Sequence, residues 1–171
     1  ASLNATEAAH AYFNPELLST IRGDSEKIRD EVIKGILDAH KKVFELAKTN
    51  PAYRGMGCTM VVALLDGNIL HLGHVGDARA YLLNKSGLQL LTTDHSNVML
   101  FVQAGELTME EARQSPMKNE LTQAVGASEV IEPDYNRSLL ESEDKILLCS
   151  DGLWDMLSNQ EIHDILKQEK P

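Results

Sequence analysis

An apolar run, Ile146 to Cys149, breaks into the acidic turn Ser150-Asp151-Gly152, and Asp155 follows one helical turn later. A carboxylate at a strand end, with a glycine beside it to let backbone approach and a second carboxylate within reach, suits hard, oxygen-preferring cations such as Mg2+ or Mn2+. Asp151 and Asp155 could share one ion. The same residues also fit a plainer role, in which Asp151 opens a turn and caps the next helix. A second acidic turn, Thr92-Thr93-Asp94-His95-Ser96, precedes another helical run. In Gly76-Asp77-Ala78-Arg79 the acid and the base share one face of an extended chain, so they either pair with each other or present Arg79 to a phosphate. Histidine offers less. His71 and His74, three apart, point to opposite faces of a strand and do not make a metal pair, and His40 near an apolar helical stripe reads as a packed side chain.

Elements must hold these turns in place, and the hydrophobic pattern predicts them. Ala1 to Phe13 reads as a helix with its cap at Asn4 and Glu7 following three residues later. Ile28, Val32, Ile36, Leu37, Val43, Phe44 and Ala47 recur at three-and-four spacing, which predicts a long amphipathic helix over Ser25 to Thr49. From Cys58 the period changes to strands. Thr59 to Leu65 and Ile69 to Val75 form a hairpin about Asp66-Gly67-Asn68, and Ala80 to Leu83 and Leu88 to Leu91 extend it as an antiparallel meander. Thr108 to Ala112 opens with a capping box, so Ser96 to Lys118 forms a helical excursion able to cover a cleft. Leu121 to Val125 and Tyr135 to Leu139 read as strands. Ile146 to Cys149 reads as a strand buried on both faces, and Gln160 to Lys170 as a closing helix.

At 171 residues one domain is expected, and 43% apolar with 25% charged residues suffices for a core without staples. A net charge of -10 argues against nucleic acid and against a membrane surface. Cys58 and Cys149 lie in apolar runs as packed thiols, which predicts a reducing, cytoplasmic setting. No signal peptide or spanning segment is present in the sequence, and the start at Ala1 without an initiator Met suggests a processed or trimmed chain.

Gly57-Cys58-Thr59, Val75-Gly76-Asp77-Ala78-Arg79-Ala80, Thr92-Thr93-Asp94-His95-Ser96, Leu121-Thr122-Gln123-Ala124-Val125-Gly126 and Cys149-Ser150-Asp151-Gly152-Leu153-Trp154-Asp155 follow one another in an order and spacing that resembles the protein phosphatase 2C family. Gln103-Ala104-Gly105-Glu106-Leu107-Thr108 and Glu110-Glu111-Ala112 resemble its bacterial branch, and the likeness runs plainly from Gly55 to about Ile165. The resemblance implies an α+β fold, a four-layer αββα sandwich of two antiparallel sheets flanked by helices, spanning 1–171 as a single domain with a helical flap at 96–118. It implies metal-dependent hydrolysis of phosphoserine and phosphothreonine in proteins, with two or three Mn2+ or Mg2+ ions activating water. A phosphorylated protein is then the substrate and a serine/threonine kinase pathway the partner. Carried over by position, Asp151 with Gly152 beside it resembles the ligand of the main metal centre. Asp94 and Asp155 resemble the pair that holds a third ion, and Gly76, Asp77 and Arg79 resemble a supporting turn.

The sequence departs from that pattern at both ends. The family's phosphate-gripping Arg and first Asp-Gly, and its final Asp-Asn, have no counterpart here, so the domain is expected to be incomplete at both ends. Cys58 stands where Thr is usual, Ser115 where a His often stands and Lys118 where Arg is typical. Three readings follow: a phosphatase, a pseudophosphatase that binds a phosphoprotein or kinase without turnover, and a regulatory phosphatase of the sporulation-control type.

Overall fold

The structure, a computed structural model, describes residues 1–168. Backbone contacts divide these into two compact units, Ala1–Gly76 with Gln123–Leu139, and Asp77–Thr122 with the segment from Leu140 onward.

The first unit begins with α1 (Ser2–Tyr12), α2 (Pro15–Ile21) and α3 (Ser25–Thr49), followed by a short 3-10 turn at Pro51–Tyr53. In α1 the expected cap is corrected: Ala1 is the cap residue and Asn4 lies inside the helix. The α3 helix starts where Asp24 accepts a hydrogen bond from the Lys27 N–H at 3.1 Å, the usual way of satisfying a free first-turn donor. Its stripe of Ile28, Val32, Ile36, Ala39 and Val43 is wholly buried. That stripe lies on a three-stranded antiparallel sheet of β1 (Met60–Asp66), β2 (Ile69–Val75) and β5 (Asp134–Leu139), in the order β1-β2-β5. A Cβ on Gly73 of β2 would run into Val32 and Ile36, so the glycine lets helix and sheet meet closely. His40 is packed as expected, its Nδ1 accepting from the Gly126 N–H at 3.1 Å.

The second unit holds β3 (Arg79–Asn84), β4 (Gly87–Leu90) and β6 (Lys145–Cys149) in the order β4-β3-β6, all antiparallel, with α4 (Asn97–Gln103), α5 (Met109–Gln114), α6 (Asp151–Trp154) and α7 (Asn159–Gln168). Tyr81, Trp154 and Ile162 form its buried cluster, with Leu88, Leu90, Leu147 and Leu157 against them. The fold is therefore α+β with two antiparallel sheets. Lys170, the expected end of the last helix, lies outside the described residues.

Three expectations need correction. The meander does not continue through β2 into β3, because β2 takes β5 as its second neighbour while β3 pairs with β4 and β6. The chain leaves the first sheet at Gly76, whose φ of +99° is open to glycine and whose added Cβ would overlap Thr59. Leu121 to Val125 is not a strand. It makes two isolated bridges, Ser96 with Leu121 and Cys58 with Val125, and no ladder connects them. Finally, among the described residues β6 is an edge strand, and Leu148 is 44% exposed instead of buried. An apolar run alone does not distinguish an edge from a centre. Among the described residues no helix is long and apolar enough to cross a membrane.

Candidate metal centre

The β3–β6 ladder sets the site. Arg79 pairs with Cys149 and Ala80 with Leu148, an antiparallel register that, run two residues further, places Asp77 across from Asp151. Both acids thus stand at the same end of the ladder, one entering β3 and the other leaving β6. Asp151 is the first residue of α6, and Ser150 stands at the cap position without a side-chain capping hydrogen bond. One oxygen of Asp151 accepts the Gly152 N–H at 2.8 Å, and the Asp155 N–H bonds the Asp151 carbonyl at 2.9 Å, which confirms the one-turn spacing. A Cβ at Gly152 would meet only Ser150 Oγ at 3.6 Å, so the close approach expected of this glycine is not what the backbone requires there.

Asp77 is 9% exposed. Burial pushes its carboxyl above the ordinary range, and the Asp151 and Asp94 charges raise it further, against a weaker pull from its own backbone and Arg79. Its main-chain carbonyl accepts the Trp154 indole N–H at 3.0 Å.

Arg79 has a different partner from the expected one. Its Nε donates to Asp94 Oδ1 at 3.0 Å and its Nη2 to Asp94 Oδ2 at 2.7 Å, while Nη1 donates to the Tyr81 hydroxyl at 3.2 Å. The guanidinium lies over the Trp154 ring, 3.7 Å from its centre. Burial opposes the Arg79 charge, but the Asp94 hydrogen bonds and charge outweigh it and hold the guanidinium pKa above its ordinary value. Asp155 is engaged as well: Lys118 Nζ reaches its two oxygens at 2.6 and 2.8 Å. Arg113 of α5 donates to the Leu157 carbonyl at 2.9 Å and to that of Asp155 at 3.3 Å, tying the helical excursion to the turn after α6. Asp94 and Asp155, the pair expected to hold a third ion, each have both oxygens on a cationic side chain. Asp94 and Arg79, with Trp154, line a cavity of about 120 Å³ beneath α4 and α5.

His71 is buried with its Nδ1 2.7 Å from the Tyr135 hydroxyl, and burial lowers its pKa. Asp151 and Asp77, two carboxylates at one ladder end whose charges oppose each other, could hold a hard divalent cation. Asp77 was legible as an acid in a turn but not as a neighbour of Asp151, a relation that only the β3–β6 register reveals.

The sequence pattern of protein phosphatase 2C matches residues 1–168. The protein phosphatase PhpP of Streptococcus pneumoniae (strain D39) is 42% identical over 133 residues, 77% of this chain. This chain spans about half the length of that relative, 53%. Among solved structures, the serine/threonine phosphatase Stp1 of Staphylococcus aureus superposes with a TM-score of 0.91 at 31% identity, over 100% of this chain and 66% of that one. The catalytic domain of the phosphatase PstP, solved in complex with two manganese ions, gives a TM-score of 0.79 at 28% identity over 96% and 67%.

Proposed function

This chain belongs to the protein phosphatase 2C family, bacterial type, and from that premise we propose that the intact protein hydrolyses phosphoserine and phosphothreonine in proteins with the help of Mn2+ or Mg2+. The observation that carries the reading is the confrontation of Asp77 and Asp151 at one end of the β3–β6 ladder. Two carboxylates set across one ladder end supply the hard, anionic ligands a divalent ion requires. The manganese in the PstP structure supports the same choice of ion.

Bound divalent ions supply a water of lowered pKa and offset the charge of the phosphoryl oxygens. The chain's own residues do the positioning. Asp151, one oxygen fixed by the Gly152 N–H, offers its carboxylate at the end of the ladder. Asp77 holds the opposite side, and Arg79 and Asp94 brace the wall behind it. Lys118 and Arg113 hold the α5 segment against the turn at Asp155, in the manner of a flap over the site. Phosphorylated proteins of a serine/threonine kinase pathway are the substrates this reading gives, and packed free thiols at Cys58 and Cys149 suit a cytoplasmic setting.

In the intact protein, Asp151→Asn is expected to abolish Mn2+-dependent hydrolysis of p-nitrophenyl phosphate and of phosphopeptides while leaving the circular dichroism spectrum unchanged. Turnover at the unmodified rate would remove Asp151 from the centre. No turnover in the unsubstituted protein would favour the pseudophosphatase.

A further inference from the structure

We infer that Trp154 is a positioning residue for the cation site, its indole N–H holding the Asp77 turn against the helix that carries Asp151. The inference rests on the metal reading above and goes beyond it to a residue that offers no ligand atom.

Trp154 stands three residues after Asp151 in α6, so the same short helix carries the acid and the indole. The ring is 4% exposed and packs with Tyr81 and Ile162. Its N–H, a donor with no alternative role, is spent on the main-chain carbonyl of Asp77 at 3.0 Å. The bond therefore links the two strands of the site beyond the last ladder pair, Arg79 with Cys149. The Arg79 guanidinium lies over one face of the ring at 3.7 Å, its Nε and Nη2 fixed by Asp94 and its Nη1 by the Tyr81 hydroxyl. A buried ring held by its N–H and by the guanidinium has little freedom to turn, and its hydrogen bond is correspondingly well aimed.

The consequence lies in the electrostatics of the pair. Asp77 and Asp151 repel each other when no cation lies between them, and a turn held only by its own backbone relaxes that repulsion by moving away. The Trp154 bond opposes the movement through the main chain and leaves the carboxylate free for the ion. It keeps the two ligands close at the expense of the metal-free state, which is preorganisation. Groups that orient ligands without touching the metal typically change its affinity by about 10- to 100-fold.

The test is calorimetric titration of Mn2+ into four forms of the intact protein. Trp154→Phe keeps an aromatic face for Arg79 and removes the donor, and is expected to bind Mn2+ about 10- to 100-fold more weakly. Ile162→Ala damages the same buried cluster without reaching Asp77, and is expected to lose thermal stability but keep the unsubstituted affinity. Asp151→Asn tests the metal reading itself. Site-specific incorporation at position 154 of an analogue with sulfur in place of the indole N–H decides the matter where the phenylalanine variant fails to fold. Unchanged affinity in Trp154→Phe or in the sulfur analogue, with binding lost in Asp151→Asn, overturns the positioning role and leaves the site standing. Equal weakening in Ile162→Ala also overturns it, since general loosening then accounts for the effect. Unchanged binding in Asp151→Asn removes the site and the inference together.

Discussion

Both oxygens of Asp94 rest on Arg79, at 3.0 and 2.7 Å, with the two side chains only 6% and 12% exposed. Such a pair gains little over an apolar one of the same shape, but breaking it strands a buried charge. Asp94→Asn, which leaves the guanidinium buried and only half satisfied, is therefore expected to destabilise the metal-free protein by about 3–5 kcal/mol. Urea denaturation in the presence of EDTA measures it, and a loss below about 1 kcal/mol would show that Asp94 is dispensable to the fold. The contrast with Lys118–Asp155 is one of exposure: at 27% and 31% that pair is partly screened and contributes less. At this scale the sequence revealed residue types but not partners. Asp94 stood out as an acid in a turn and Arg79 as a base two residues after Asp77, yet nothing in a spacing of fifteen residues tells that Arg79 turns to the distant acid. The choice depends on β3 and the Thr92–Ser96 turn lying side by side, as the Ala80 N–H bonded to Thr92 Oγ1 shows.

Elements were legible wherever their signals were local. The α3 helix and β2 have the bounds their periodicity predicts, and the capping box of α5 is present in full, with the Glu111 N–H bonded to Thr108 Oγ1 at 3.2 Å and the Thr108 N–H to Glu111 at 2.8 Å. Pairing was not local and was misread. The chain order of β2 and β3 suggested neighbours, whereas β5, arriving some sixty residues later, takes that place. Leu121 to Val125 carries strand-forming residues but finds only single bridges at its two ends, so tertiary context overrides propensity. The capping box also gives a prediction at this scale. At six residues α5 is too short to hold itself together, and it depends on its cap and on Arg113 reaching the Asp155 and Leu157 carbonyls. Thr108→Ala is expected to loosen Met109–Gln114 by about 0.5–2 kcal/mol. Hydrogen exchange there should quicken while α3 keeps its protection, and unchanged exchange in α5 would show that the cap contributes nothing.

For the molecule as a whole, the net charge of -10 is spread over many paired surface acids, but its consequence concentrates where Asp77, Asp94 and Asp151 approach one another. Arg79 answers the charge of Asp94. The charge shared by Asp77 and Asp151 is the part a divalent cation would offset, and family membership, recognised from five short motifs in order, agrees with a divalent cation as cofactor. The metal-free fold bears a penalty with a definite sign. Because the Asp77 carboxyl is raised in the folded state above its ordinary 3.8, its contribution to stability is fully present below about pH 4 and is lost as pH rises through the folded value. Above that folded value the ionised group therefore works against the fold until a cation binds.

The most direct test of this centre is the melting temperature of the intact protein and of its Asp77→Asn form at neutral pH, each in EDTA and in saturating Mn2+. In EDTA the variant is expected to melt higher, with the gap closing as pH falls toward 4. In Mn2+ the order should reverse, because binding stabilises the form that keeps both carboxylates. Equal upward shifts of both proteins in Mn2+, or a variant that melts lower in EDTA, would contradict a cation held between Asp77 and Asp151.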